Sequence, residues 1–299
     1  MAPLLSRLGL GRSGFGFGKN SGPKSVTIIS TFSSPGSVAI PAQATSVKVT
    51  AHGSKRGHVY GDTYNRKDGG LAEGTFSTLQ GTTLNINFAG GGTPHTTPTH
   101  ANEGANYAGV FNGPVTHANS LVIAGGSGAP GIQNFGPSLG GAGGASIGEN
   151  GDPGTRLVFD GPPTAGVLAG GGGGGTQSSG GAGGSPGSPR IPQMGSGDGN
   201  PGTALQGGAG APGFQGTNAG GYMGGGGGGY YGGGGGGGGG GWAPSVSGGP
   251  SPSPDMYGGG ASGGGGSNYI HPTASNITNT RGGSLYTAGY VEITVIAPS

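Results

Sequence analysis

Alternating apolar and polar residues indicate β-strands near the start of the chain. Residues 25–89 include the runs SVKVTA (46–51) and TLNINF (83–88), in which every second residue is apolar, preceded by SVTIIS (25–30). A period of two is typical of a strand with one buried face. Turn sequences such as SPG (34–36) and DGG (68–70) separate these runs, as expected between strands. The segment therefore predicts an antiparallel β-strand unit.

The same alternation returns at the end of the chain. In residues 285–299, Val291, Ile293 and Val295 alternate with Glu292 and Thr294. A single strand is not stable alone, so it must pair with strands elsewhere in the chain. We expect its partners in residues 25–89, which would close one β-domain around the sequence between them.

That intervening sequence, residues 90–284, is dominated by glycine. Of 299 residues, 84 are Gly and 23 are Pro, whereas only 47 are Leu, Ile, Val or Phe. So small an apolar share argues against an ordinary globular enzyme of this length. Disordered chains, however, combine low hydrophobicity with high net charge, and only 7% of these residues are charged, with a net charge of +2. Uninterrupted glycine runs span residues 170–175, 224–229 and 232–241. Short apolar islands lie at 121–123, 157–159 and 167–168.

Ordered glycine requires compensation from the backbone, because glycine loses more conformational entropy on folding than any other residue. Extended threefold helices have no internal hydrogen bonds, and without Cβ atoms they could pack closely and bond laterally as polyglycine-II. A disordered Gly/Ser/Pro linker is the alternative. The apolar islands, the low charge and the C-terminal strand favour order.

Positive charge is concentrated near the N-terminus. Residues 1–70 carry nine Lys or Arg against two Asp, whereas residues 71–299 carry three against eight acidic residues. We interpret residues 1–24 as a basic anchor arm that threads into a groove of a partner as an extended peptide. No signal peptide, transmembrane helix or nucleic-acid-binding motif is expected, and the absence of cysteine excludes disulfides. The anchor candidates are Arg7, Arg12, Phe15, Phe17 and Lys19.

Several segments, taken in order, resemble a known family. GGLAEGTFSTLQGTTLNINFAGGG (69–92), SLVIAGGSGAPG (120–131), the polyglycine runs around YY (230–231) and GYVEITV (289–295) are similar to the glycine-rich domain of anaplastic lymphoma kinase-type receptor ectodomains and phage tail-fibre proteins. TFSSPGSVAIPAQATSVKVTAHG (31–53) resembles the opening strands of such domains in phage virion proteins.

The resemblance implies an all-β fold, a jelly-roll or TNF-like sandwich with an inserted polyglycine-II helix bundle. The missing cysteines and the basic arm fit the phage branch, which implies a non-enzymatic tail-fibre or tail-tip adhesin. It would be made in the host cytoplasm, docked on other tail or capsid proteins through residues 1–24, and in contact with a surface glycan or outer-membrane protein of the host. A capsid-decorating or fibre-structural protein and a disordered matrix protein are the alternatives. A homotrimer and a monomer carried on a trimer both remain open.

The resemblance also implies that loops connecting the helices at the distal tip contact the host surface. The aromatic residues that interrupt or follow glycine runs suit contact with sugars, and Trp242 lies in a Pro/Ser-rich stretch typical of an exposed loop. The pair Tyr230-Tyr231 is better interpreted as covering the end of the glycine lattice. The receptor-contact candidates are Tyr222, Trp242, Met256, Tyr257, His95 and His100.

Other chemistry is weakly indicated. His95 and His100, with His117, have a spacing that is a weak metal signal, and we interpret them as loop histidines. We recognise no catalytic constellation in the sequence. A phosphate-binding loop is not present either, since no glycine run is followed by Lys-Ser or Lys-Thr. Asn276-Ile277-Thr278 is a glycosylation sequon, relevant only to a secreted protein. We therefore predict no enzyme, metal or cofactor.

Overall fold

The strands of the protein form two antiparallel sheets of five strands each. The computed structural model describes residues 25–55, 67–93, 103–131, 139–154, 168–187, 197–211, 223–237, 260–284 and 286–298. The strands in chain order are β1 (Ser25–Phe32), β2 (Gly36–Ala39), β3 (Ser46–His52), β4 (Leu71–Phe76), β5 (Thr83–Ala89), β6 (Tyr107–Asn112), β7 (Ser120–Ala124), β8 (Tyr269–Ile270), β9 (Ser275–Thr280) and β10 (Tyr290–Pro298). The helical content of the described residues is one 3-10 turn, His117–Asn119. The expectation of an all-β protein is confirmed.

The first sheet has the order β1-β10-β3-β4-β9 and depends on the C-terminal strand. β10 lies between β1 and β3, with Val295 opposite both Ile28 and Val47. The pairing expected between the C-terminal strand and the N-terminal strands is therefore present. Every second residue of β10 from Val291 to Ala297 is buried, which is the consequence of the period of two seen in the sequence.

The second sheet has the order β2-β5-β6-β7-β8 and packs its inner face on the first. Val49 and Phe76 from the first sheet share one hydrophobic core with Leu84, Val110 and Val122 from the second. This core holds the two sheets together. Four strands, β6 to β9, come from within residues 90–284, so the range assigned to the glycine-rich region also contributes to both sheets.

β6 is buried on both faces because the glycine-rich segments cover the outer face of the second sheet. Its residues Ala108 and Val110 face the shared core. Tyr107 and Phe111 form a second apolar cluster with Ile123 of β7, packed against Leu205, Tyr230 and Tyr269 among others. A strand buried on both faces does not alternate in hydrophobicity, so β6 carries no clear period of two.

Most of the remaining described residues form what we call the glycine block, a set of extended segments that belong to neither sheet. Its segments exchange lateral backbone hydrogen bonds, mostly between residues far apart in sequence. Gly227, for example, donates to the carbonyl of Gly264, and Gly234 donates to that of Gly173, each at 2.8 Å. The segments are 90–93, 103–106, 125–131, 139–144, 148–154, 168–176, 179–187, 197–203, 206–211, 223–229, 231–237 and 260–267.

Segment 232–237 lies at the centre of the block, and its hydrogen bonds repeat every three residues. Its six N–H groups donate in turn to the carbonyls of Thr203, Gly227, Gly173, Asn200, Gly224 and Gly170. Its six carbonyls accept in turn from the N–H groups of Gly181, Gly208, Gly264, Gly184, Ala211 and Ala261. Residues three apart thus bond to the same neighbour, and six different segments surround this one. Segment 261–266 has the same repeat, also with six neighbours.

This close lateral approach requires glycine. A Cβ placed on Gly233 would overlap the carbonyl oxygen of Gly264, and one on Gly236 would overlap that of Ala261. Both obstacles are backbone atoms, which cannot rotate away as a side chain can. The block is therefore held together by backbone hydrogen bonds between closely packed glycine-rich segments, whereas the two sheets are held together by side-chain packing.

Candidate functional site

The glycine block has two different ends. At the end next to the sheets, which we call the sheet end, segments 223–229 and 231–237 are joined by a turn at Tyr230, which is bonded to Ser267. Segments 139–144, 168–176 and 197–203 are likewise joined to the next segment along the chain within a few residues. The connections at the sheet end are therefore short.

At the opposite end, which we call the loop end, the terminal residues of neighbouring segments are bonded to one another, as in Ala211 N–H to Gly236 carbonyl and Ala261 N–H to Gly237 carbonyl. Gly154 is similarly bonded to Ala169. The described residues that flank six stretches outside the described residues lie at or next to this end, the stretches being 94–102, 132–138, 155–167, 188–196, 212–222 and 238–259. The ends of the described segments on both sides of these stretches are thus brought together at the loop end.

All six receptor-contact candidates belong to three of these stretches and lie outside the described residues. His95 and His100 belong to 94–102, Tyr222 belongs to 212–222, and Trp242, Met256 and Tyr257 belong to 238–259. The described residues that flank the three stretches lie close together, because Gly210 donates to the carbonyl of Thr93 and Gly224 donates to that of Ala261. The anchor candidates Arg7, Arg12, Phe15, Phe17 and Lys19 also lie outside the described residues.

At the sheet end, Tyr230 lies within a stack of rings. It stacks on His117 at 3.9 Å and on Tyr269 at 4.0 Å, measured between ring centroids. Tyr231 meets both His117 and Tyr230 edge-on. Because both faces of the Tyr230 ring are occupied, the structure agrees with the interpretation of Tyr230-Tyr231 as a cover for the end of the block.

Burial shifts the titration of these rings. It raises the pKa of Tyr230 and of Tyr269, because an apolar environment disfavours the phenolate. It lowers the pKa of His117, although a backbone hydrogen bond with Tyr230 opposes the effect. A neutral His117 at neutral pH is suited to packing against tyrosine.

Asn268 joins the block to the first sheet and was not singled out from the sequence. Its side chain is fully buried. Its Oδ1 accepts from the N–H of Gly125 at 2.8 Å, while its Nδ2 donates to the carbonyl of Leu71 and to Oδ1 of Asn279, both at 2.9 Å. The sequence signal was available, since Asn268 ends the run GASGGGGSN, in which polar side chains are rare.

Two buried serines of the same run cap neighbouring segments. Ser262 Oγ donates in the direction of the carbonyls of Leu139 and Asp152, at 2.6 and 2.8 Å. Ser267 Oγ donates to the carbonyl of Thr176 at 2.7 Å and accepts from the N–H of Tyr231 at 3.1 Å. Because the rest of the run is mostly glycine, these side-chain hydrogen bonds set the position of the run along the neighbouring segments.

Glu149 is an ion-paired carboxylate inside the block. It accepts from the N–H of Ala142 at 2.9 Å and pairs with Lys67 Nζ at 3.2 Å. Partial burial acts to raise its pKa, but the bond from Ala142 and the charge of Lys67 outweigh it, so the pKa of Glu149 is lowered. Its role in the structure is to join segment 148–154 to its neighbours.

Neither a metal site nor a family identifies the chain. Within the described residues, no three His, Asp or Glu side chains come together to hold a metal ion. The same residues contain no helix of the length and hydropathy that crossing a membrane requires. No protein-family model matches the chain, and no curated protein matches it in sequence.

Proposed function

We propose that this chain is a virion structural protein of a tailed phage, a tail-fibre or tail-tip adhesin that displays host-contacting loops on a rigid glycine-rich scaffold. The observation that carries the proposal is the loop end, where the described residues flanking six stretches of chain are brought together, while the sheets adjoin the opposite end of the glycine block. Binding residues are commonly placed on loops positioned by a rigid scaffold.

We also propose that the block is a polyglycine-II helix bundle inserted in a jelly-roll or TNF-like sandwich. The three-residue repeat of lateral hydrogen bonds and the six neighbours of segment 232–237 support the first part. The two packed antiparallel sheets support the second. Such a bundle is stiff, because each central residue is held by bonds to two different neighbours.

Adsorption of phage particles to the host tests the adhesin proposal. Trp242→Ala and Tyr257→Ala are expected to slow adsorption while leaving the amount of this protein per particle unchanged. Tyr286→Ala is the matched control, because Tyr286 is an exposed aromatic residue close to the strands of the first sheet. Replacement of residues 242–257 by Gly and Ser without any change in adsorption would favour a decorating or fibre-structural protein instead.

Incorporation into particles tests the anchor arm. Deletion of residues 1–24 is expected to leave a folded protein, judged by its unfolding transition, that is missing from purified particles. Charge reversal at Arg7, Arg12 and Lys19 is also expected to reduce the amount of this protein in the particles. Particles that carry the truncated protein at the normal level would contradict the anchor role without affecting the adsorption result.

A further inference from the structure

β1 is an edge strand that nothing in the described part of the chain covers. It pairs along its whole length with β10, from Ser25 opposite Pro298 to Phe32 opposite Val291, without a bulge. On its other side no described strand follows. A long, regular edge with unpaired backbone groups is a template for another strand, and proteins usually protect it with charges, proline or bulges. β1 has none of these.

Exposed apolar side chains lie on both faces of the sheet at this edge. Val26 and Ile28 lie on the core side and are nevertheless 44% and 39% exposed. Ile29, on the outer face, is 59% exposed. Ile296 of β10 is 39% exposed beside it. These four residues are a large part of the exposed large hydrophobic residues in the described chain.

The other edge of the same sheet is protected. β9 has the sequence SNITNT, its pairing with β4 shifts register between Glu73 and Thr75, and Asn276 has a φ of +49°. Such irregularity and polarity prevent a further strand from pairing. The contrast between the two edges of one sheet indicates that the open edge has an occupant.

We propose that β1 pairs with β1 of a second copy of this chain, in an antiparallel arrangement about a two-fold axis. Residues that pair in one sheet point to the same face, so in a register centred on Thr27 each Val26 would lie opposite Ile28 of the second copy on the core side. Ile29 would lie opposite Ser25 of the second copy on the outer face. A partner strand must be uncharged and must carry apolar residues opposite Val26 and Ile28, and β1 itself satisfies this requirement in the register centred on Thr27. A two-fold interface is closed, so the pairing yields a dimer.

The proposal does not depend on the adhesin function. It predicts a ten-stranded continuous sheet across the dimer, with a glycine block on each side. Because the contact is essentially one strand pair and its adjoining side chains, its area falls at the small end of specific interfaces. We therefore expect a monomer–dimer equilibrium that depends on concentration.

Sedimentation equilibrium of the full chain over a range of concentrations tests the pairing. The wild type is expected to dimerise, and Ile29→Lys is expected to weaken dimerisation by about tenfold or more, since a charge inserted at an edge opposes strand pairing. Ile277→Lys on β9 is the matched control, because Ile277 is 54% exposed at the opposite edge. It should leave the equilibrium unchanged, and equal unfolding transitions would show that both variants fold.

Disulfide trapping provides a second measurement, since the chain has no cysteine. Thr27→Cys is expected to form a covalent dimer on mild oxidation, because Thr27 would lie opposite its own equivalent, whereas Ile29→Cys and Ser275→Cys on β9 are not. A wild type that is monomeric at all concentrations would overturn the proposal. So would a trimer, or an association that Ile29→Lys leaves intact.

Discussion

Single glycines in the centre of the block are as constrained as residues in a packed core. Gly233 is surrounded by backbone atoms, so an added methyl group must push segments apart instead of rotating a side chain. Overpacking of this kind usually costs about 1–3 kcal/mol. For an added methyl group at Gly233 we expect a cost at the upper end of this range, because pushing the segments apart lengthens several lateral hydrogen bonds at once.

We therefore expect Gly233→Ala to lower the free energy of unfolding by about 3 kcal/mol, measured by urea denaturation. Gly36→Ala on β2 is the control. A Cβ at Gly36 would come close to the side-chain ring of Phe32, at 3.2 Å, which can shift, and would touch the Ser34 carbonyl at an ordinary contact distance of 4.0 Å. Equal effects of the two substitutions would contradict the view that the block is closely packed.

Asn268 is the polar residue on which the junction between the block and the first sheet depends. Replacing it with Leu leaves the N–H of Gly125 and the carbonyl of Leu71 without their partner, and each buried unsatisfied group costs about 1–3 kcal/mol. We expect Asn268→Leu to lower the midpoint of thermal unfolding strongly. Asn119→Leu removes a comparable side-chain bond, to the carbonyl of Pro114, at an exposed site. It should have little effect, and a silent Asn268→Leu would exclude the proposed junction.

His52 makes stability depend on pH. Burial lowers its pKa from the usual 6.5, although the charges of Glu292 and Glu73 oppose the shift. A lowered pKa in the folded state means that the unfolded chain takes up the proton first as pH falls. His52 therefore contributes stability that is fully present above pH 6.5 and is lost as pH falls through the folded-state pKa; His117 acts in the same direction.

We expect the free energy of unfolding to fall as the pH is lowered from above 6.5, and His52→Gln to reduce this slope without abolishing it. Denaturation curves of both proteins at a series of pH values provide the measurement. At pH values well above this range the two proteins should differ by a constant amount. An identical slope in the variant would show that His52 is not one of the groups responsible.

At the scale of elements, the sequence was informative wherever side chains alternate. β3, β5 and β10 have one buried and one exposed face, so their period of two was visible. β6 is buried on both faces and β9 is exposed almost throughout, so neither pattern alternates. β8 has two residues, which is too short for any pattern.

The glycine block shows a different limit to prediction from sequence. Its order could be inferred from composition and from the returning C-terminal strand, but its geometry could not. A run of identical glycines contains no information about which residue faces which neighbour. In the structure this information comes from Ser262, Ser267 and Asn268, whose hydrogen bonds fix one segment relative to the others.

Amide hydrogen exchange distinguishes the central segments from the surface turns. The N–H groups of residues 232–237 are all bonded to carbonyls of surrounding segments, so they should exchange only on global unfolding. The N–H of Ser178 is bonded to the hydroxyl of Thr176 in an exposed turn and should exchange much faster. Rapid exchange throughout 232–237 would contradict an ordered block and favour the disordered matrix protein.

At the scale of the whole molecule, the C-terminal strand closes the fold. β10 separates β1 from β3 in the first sheet, and it supplies Val291, Ile293 and Val295 to the shared core. These contacts join residues more than 200 positions apart, and folds dominated by such distant pairings form slowly.

We expect a chain that ends at residue 289 to lose its cooperative unfolding transition, because removal of β10 leaves β1 without its described partner and opens the core. Deletion of residues 1–24 is the matched control, since it removes more residues but none of the described strands. Circular dichroism during heating would follow the sheets, while hydrogen exchange in residues 232–237 would follow the block. Protection of the block in a chain whose sheets have melted would show that the glycine segments fold independently, and that the sheets serve only to carry them.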